Sequence, residues 1–260
     1  MIIDAHAHIF PDKIAVKAST AVGNFYELPM NFDGKVSTLL SEGDSAGIDK
    51  FVVHSVATKP EQVDSITDFI AESVKTYPDR FIGFAAMHQD YPDKEKLIDR
   101  AIAAGLKGVK IHPDFQEVSL ADKRLWELFE IMEGRLPILI HTGDYRYKWS
   151  NPSYVIDILD RFPKLELIGA HFGGWSEWDN AEKILAGRKM WVDTSSSFYS
   201  MTPERAHELI KSFGADRVLF GSDYPMWSPK EELAFFDKIP LTEREREMIL
   251  HENIEKLLKL

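Results

Sequence analysis

The sequence predicts a single-domain α/β fold, a (β/α)8 TIM barrel running over residues 1–260. Three observations carry that prediction. Short β-rich apolar runs recur eight times at a nearly constant interval, and segments with helical spacing of apolar residues lie between them. The first and last runs both carry side chains suited to a shared metal, and only a closed sheet sets strand one beside strand eight. The competing open, doubly wound sheet lacks a Gly-x-Gly-x-x-Gly after its first strand.

The elements follow in order. The first run, Ile2–Ile9, contains His6-Ala7-His8, and residues two apart on a strand share a face. Residues Pro11–Val36 read as a long loop carrying Phe25, Tyr26, Met30 and Phe32, of the kind that shapes a barrel mouth. The second run is Lys50–Ala57. Pro60 then opens a helix over Glu61–Tyr77, with Val63, Ile66, Phe69, Ile70 and Val74 on one face. Runs three and four are Phe81–Met87 and Gly108–Pro113, followed by a helix over Leu120–Met132 that places Leu125, Leu128, Phe129 and Met132 together. Runs five to eight are Leu136–Thr142, Leu165–Gly173, Met190–Ser195 and Val218–Pro225. Helix starts with a capping residue and an early proline stand at Asn151-Pro152-Ser153, Thr202-Pro203-Glu204 and Ser228-Pro229-Lys230-Glu231. Leu241–Leu260 reads as a closing helix, with Ile249, Ile254, Leu257 and Leu258 apolar.

Composition narrows the function. Hydrophobic residues at 44% and charged residues at 28% describe an ordinary globular chain with material for a core. A net charge of -11 argues against nucleic acid and anionic membranes as partners, although a local cation can still receive an anionic substrate. With no cysteine, disulfides and thiolate metal sites are excluded, and any metal is held by nitrogen and oxygen. The apolar runs are far shorter than the roughly 18 residues of a membrane span, and no signal-like segment opens the chain, so a cytoplasmic location is expected. The expected partner is a small-molecule substrate, with a homodimer as the default assembly.

Seven of the nine histidines fall on or just after a strand: His6, His8, His54, His88, His112, His141 and His171. Barrel enzymes build their sites at the C-terminal ends of the strands. A catalytic divalent site typically takes three His or carboxylate ligands and keeps one position open. His6 and His8 from strand one, His141 from strand five and Asp223 from strand eight are the expected ligands. His171 ends strand six before two glycines and serves either as a second-metal ligand or as a partner to the reacting groups. Lys110 and His112 share a face at the end of strand four and are candidate substrate-binding or second-metal groups. Carboxylation of Lys110 would bring the count from one ion to two. Zinc is the expected ion, although the donor set also suits Mn²⁺, Fe²⁺ or Co²⁺. Arg146 is a candidate carboxylate clamp. His54 and His88 read as rim or packing residues.

The segments Ile-Asp-Ala-His-Ala-His, Gly-Val-Lys-Ile-His-Pro, Pro-Ile-Leu-Ile-His-Thr-Gly, Gly-Ala-His-Phe-Gly-Gly and Leu-Phe-Gly-Ser-Asp-Tyr-Pro occur in that order between residues 3 and 225. The chain thereby resembles the amidohydrolase superfamily, and within it the amidohydrolase-related branch of TIM-barrel metal-dependent hydrolases. The resemblance implies a metal at His6, His8, His141 and Asp223, with His171 beside it. That branch holds ester and lactone hydrolases as well as non-oxidative decarboxylases of aromatic or unsaturated acids.

The leading expectation is metal-dependent hydrolysis of a small amide, ester or lactone, with Asp223 moving the proton of an activated water and His171 assisting. The alternative is decarboxylation of a planar acid. It is suggested by the aromatic residues after several strands: Phe115, Tyr145, Tyr147, Trp149, Trp175, Trp178, Phe198, Tyr199 and Trp227. A third reading is a non-catalytic metal-binding barrel, distinguished by a closed four-ligand shell.

Overall fold

A computed structural model describes all residues, 1–260. Strand β1 (Ile3–His8) is followed by helices α1 (Asp12–Tyr26) and α2 (Val36–Ala46). Then come β2 (Lys50–His54), α3 (Val63–Thr76), β3 (Phe81–Ala86), α4 (Lys94–Ala103), β4 (Gly108–Ile111), the single turn α5 (Pro113–Gln116) and α6 (Lys123–Met132). The second half runs β5 (Ile138–Ile140), α7 (Ser153–Arg161), β6 (Leu167–Gly169), α8 (Trp178–Leu185), β7 (Trp191–Asp193), α9 (Pro203–Phe213), β8 (Val218–Leu219) and α10 (Pro229–Phe236). It ends on α11 (Glu243–Glu247), a π-helical turn at Met248–Glu252 and α12 (Asn253–Leu258).

Every strand pairs in parallel with its neighbours in chain order, β1 through β8. The ring closes where Ala5 N donates to Phe220 O at 2.7 Å, His8 N to Tyr224 O at 2.7 Å and Asp223 N to His6 O at 2.9 Å. Asp4 ties the same seam, accepting from the backbone N–H of both His6 and Ser222 at 3.0 Å. The predicted barrel is the observed one.

Two apolar clusters divide the interior. The larger lies between sheet and helices. The smaller fills the barrel with Ile3, Ala5, Val52, Ile82, Phe84, Leu139, Ile168, Trp191 and Leu219, and α12 seals its lower end with Ile254, Leu257 and Leu258. Period-two alternation then puts a chemistry-bearing residue above an apolar one on strand after strand: Val52 below His54, Leu139 below His141, Trp191 below Asp193. On β1 the register slips between Asp4 and Ala7, a bulge of the kind that re-aims side chains beside active sites.

One predicted element is overturned. Residues 12–26 are helix α1, not part of a long loop. Its buried face consists of Ala15, Ser19 and Gly23, four apart, while Ile14 and Val16 are exposed. A helix that packs through small residues carries no apolar stripe to read. The closing helix is likewise broken into α11, the π turn and α12. Capping matched the sequence more closely. Thr202 accepts from Arg205 N at the start of α9, and Ser228 from Glu231 N at the start of α10.

Candidate active site

His6, His8, Lys110, His112, His141, His171 and Asp223 all line one cavity at the C-terminal mouth of the barrel. His6 Nε2, His8 Nε2 and Asp223 Oδ1 form a triangle with edges of 3.3, 3.4 and 3.5 Å. Three ligands bound tetrahedrally at about 2.1 Å would stand about 3.4 Å apart, so the triangle fits one divalent ion. The proton positions agree. His6 Nδ1 lies 2.8 Å from Asp193 Oδ2, and a carboxylate only accepts, so the proton sits on Nδ1 and the Nε2 lone pair faces the cavity. Burial lowers the His6 pKa to about 4, helped by the Lys110 charge. Burial alone would raise the Asp193 carboxyl, but His6, His171 and its hydrogen bonds hold it at about 2. The pair is a neutral imidazole on a carboxylate.

Across the cavity His141 Nδ1 and His171 Nε2 face each other at 3.0 Å. His141 Nε2 donates to Gly143 O at 3.0 Å, and His171 Nδ1 to Ser195 O at 2.9 Å. Carbonyl oxygens accept only, so both outer nitrogens carry the protons and two lone pairs are left opposed. Such a pair needs a cation or a shared proton between its nitrogens. Of the four expected ligands, His6, His8 and Asp223 thus form the triangle, while His141 stands apart from it, paired with His171 across the cavity.

The backbone at these residues is constrained. His171, Phe172, Ser196 and Asp223 all have positive φ, at 60°, 52°, 45° and 63°. Each such non-glycine residue costs of order 1 kcal/mol, and clusters of them mark functional sites. Gly143 (φ 81°) has no room for a side chain, since a Cβ would sit 2.5 Å from the Gly174 and Trp175 backbone. The β5 and β6 loops meet there.

Burial would raise the Asp223 carboxyl, but His6, His8 and His171 hold it well below the usual range, so it is ionised. Its Oδ2 accepts from Ser196 Oγ, which in turn accepts from Trp227 Nε1 at 2.7 Å. Lys110 is 1% exposed, with Nζ 3.4 Å from His6 Nε2, and burial lowers its pKa to about 8 despite Asp193 and Asp223. His112 is sandwiched between Phe115 and His141, with centroids at 3.8 and 4.0 Å. Phe115 N donates to its Nδ1, so Nε2 carries the proton and donates to Tyr26 Oη at 2.7 Å. The Tyr26 hydroxyl hydrogen is thus left free for an occupant of the cavity.

Other residues were missed or misplaced by sequence reasoning. Of the two readings given for His54, rim or packing, the structure has packing. It is fully buried, its ring 4.7 Å from that of His6 and 4.4 Å from that of His8, and neither of its nitrogens has a hydrogen-bond partner. Asp114, two residues past His112, groups with His112 and His141 as a further set able to hold a cation, and its Oδ1 is buried without a partner. The spacing His-x-Asp was its only signal. His88 stands apart, accepting from Asp90 N in its own loop. Arg146 does not reach the cavity. Its guanidinium grips Asp144 at 3.0 and 2.7 Å and donates to Phe25 O at 2.7 Å, so it is committed to Asp144 and α1 rather than aimed at the cavity. Of the loop aromatics, only Phe115 lines the cavity, joined by Phe10 and Tyr26.

Comparison with known proteins places the chain as a whole. A profile of the family described as Amidohydrolase matches residues 3–260. Decarboxylase orsB of Emericella nidulans is 26% identical over 182 residues, covering 58% of this chain and 52% of that protein, so the chain spans about half its length. Gamma-resorcylate decarboxylase of Polaromonas sp. is 24% identical over 243 residues, 74% of each chain. A dihydroxybenzoic acid decarboxylase structure from Polaromonas sp., with bound manganese and 2-nitroresorcinol, superposes with a TM-score of 0.76 at 20% identity, covering 100% of this chain and 97% of that one.

Proposed function

The chain belongs to the amidohydrolase family, and from that premise we propose that it is a metal-dependent, non-oxidative decarboxylase of a hydroxylated aromatic acid. The observation that carries this reading is the ligand triangle set beside a buried ammonium, Lys110, in a small and partly aromatic cavity. Such a pocket offers a carboxylate a counter-charge and little room for solvent. Losing charge as CO2 is favoured where solvation of the anion is withheld. The relatives named as decarboxylases support the same reaction over the hydrolysis expected first.

His6, His8 and Asp223 would hold the ion, with His141 and His171 completing the wall. A divalent ion there would supply Lewis-acid charge to anchor the oxygens of the substrate. Manganese in the Polaromonas structure is one precedent for its identity. The chain's own groups do the rest. Asp223, ionised at rest, takes the proton of a ring hydroxyl and returns it to the carbon bearing the carboxylate. The C–C bond then breaks, CO2 leaves, and the bonding pair restores the aromatic ring as a phenolate. Solvent later supplies the one proton consumed. Tyr26 and Lys110 orient the acid.

The test is product analysis on manganese-loaded protein with 2,6-dihydroxybenzoate, 5-carboxyvanillate and an aromatic lactone. CO2 and phenol should appear in equal amounts, and Asp223→Asn should cut turnover by about 10²–10⁴-fold. Acid released from the lactone with no CO2 from either benzoate would return the protein to the hydrolases.

A further inference from the structure

A second cavity, of about 470 Å³, lies at the opposite end of the barrel, where the strands begin. Seven of its 17 lining residues are Lys or Arg and only Glu166 is acidic, in a chain whose net charge is -11. The cations come from successive helix-to-strand connections. Lys107 precedes β4, Arg135 β5, Lys164 β6, Lys189 β7 and Arg217 β8, and α12 adds Lys256 and Lys259.

Helix C-termini point carbonyls toward this end of the barrel, and that alone would explain one cation near each. It accounts for Lys189, whose Nζ donates to Pro163 O at 3.2 Å. Arg135 is held by Asp99, and Arg217 lies over the Trp191 ring at 4.7 Å. Lys256 stands in the last turn of α12, where the same account applies, but Lys107, Lys164 and Lys259 have no such account. Every lysine–carboxylate pair in the protein lies elsewhere. Glu166 turns its Oε2 to Trp191 Nε1 at 2.8 Å. Unpaired ammonium groups around a recess with low-dielectric walls raise the local concentration of anions, and the volume is that of a small-molecule site.

We propose that this cavity binds a small, multiply charged phosphorylated anion, up to nucleotide size, independently of the reaction at the other end. Full-length protein is titrated calorimetrically with ATP, fructose 1,6-bisphosphate and inorganic tripolyphosphate at about 0.15 M salt. At least one should bind one-to-one and raise Tm, where sodium chloride at matched ionic strength does not. The K164E/K256E double variant should weaken that binding at least tenfold and leave CO2 release unchanged. If the charge reversal fails to fold, K164Q/K256Q replaces it, with at least a threefold loss expected. Absence of heat and of any Tm rise with all three probes would overturn the proposal. So would affinity unchanged by the substitutions, since chelation of an active-site ion would survive them.

Discussion

The state of a single imidazole nitrogen depends on what its other nitrogen touches. His6 presents a lone pair to the cavity because Asp193, 187 residues away, accepts the proton on the far side of the ring. Asp193→Asn should therefore leave the barrel folded and weaken metal binding by about 10–100-fold. Competition with a metal indicator reads that loss directly, and unchanged affinity would mean Asp193 only packs. His6, His8, His171 and Asp223 were legible because each stands at the end of an apolar run, where barrels place their chemistry. Asp193 ends the short run Trp-Val-Asp in the same way, yet nothing local says which ring it will meet. His54 was underrated for a related reason. Its importance is contact with two other rings, and contact is a property of closure rather than of spacing.

At the scale of elements, α1 decides what can enter. Val22 and Tyr26 from this helix, with Met30 just beyond it, line one wall of the candidate metal cavity, a roof over a space of about 30 Å³. That is room for an ion and a water or two, so the proposed aromatic acid would enter only with a shift of this wall. Arg146 is what holds it. The guanidinium bonds the Phe25 carbonyl in the last turn of α1 and sits 5.1–5.6 Å from the rings of Phe25, Tyr26, Tyr147 and Trp175. A hydrogen bond to a charged group contributes about 1.5–3 kcal/mol. Arg146→Ala should thus speed amide exchange in the last turn of α1 by roughly tenfold or more, while α3 and α6 keep their protection. Equal exchange in both proteins would show that the roof is held by packing alone. The sequence pointed to Arg146 as a cation near the site but assigned it to the substrate, because the competing acceptor, Asp144, is too ordinary a neighbour to stand out. The strongly amphipathic helices α3 and α6 were legible to within a turn. The small-residue face of α1 was not.

The whole molecule is polarised along the barrel axis, with the candidate metal cavity at one end, unpaired lysines at the other, and a seam between β1 and β8 that gathers acids. Asp4 sits in that seam, and Glu232 on α10 is 6% exposed near it, with Oε2 buried and without a partner. Burial, reinforced by Asp4 and Asp223, raises the Glu232 pKa well above its ordinary 4.5. The sign of the consequence is fixed by linkage. Between the unfolded pKa and the raised folded one, the native protein holds a proton that the unfolded chain has lost, so stability falls as pH rises through that interval. In the Glu232→Gln variant this group no longer titrates. The variant should show a flatter loss of stability above pH 4.5 and therefore exceed the wild type at neutral pH, because an amide takes up no proton on folding. Urea unfolding of metal-free protein across that range measures it, with the metal removed because an ion on Asp223 would alter the field at Glu232. Parallel stability curves for the two proteins would place the Glu232 proton outside the folding equilibrium and leave the acidic seam without a cost.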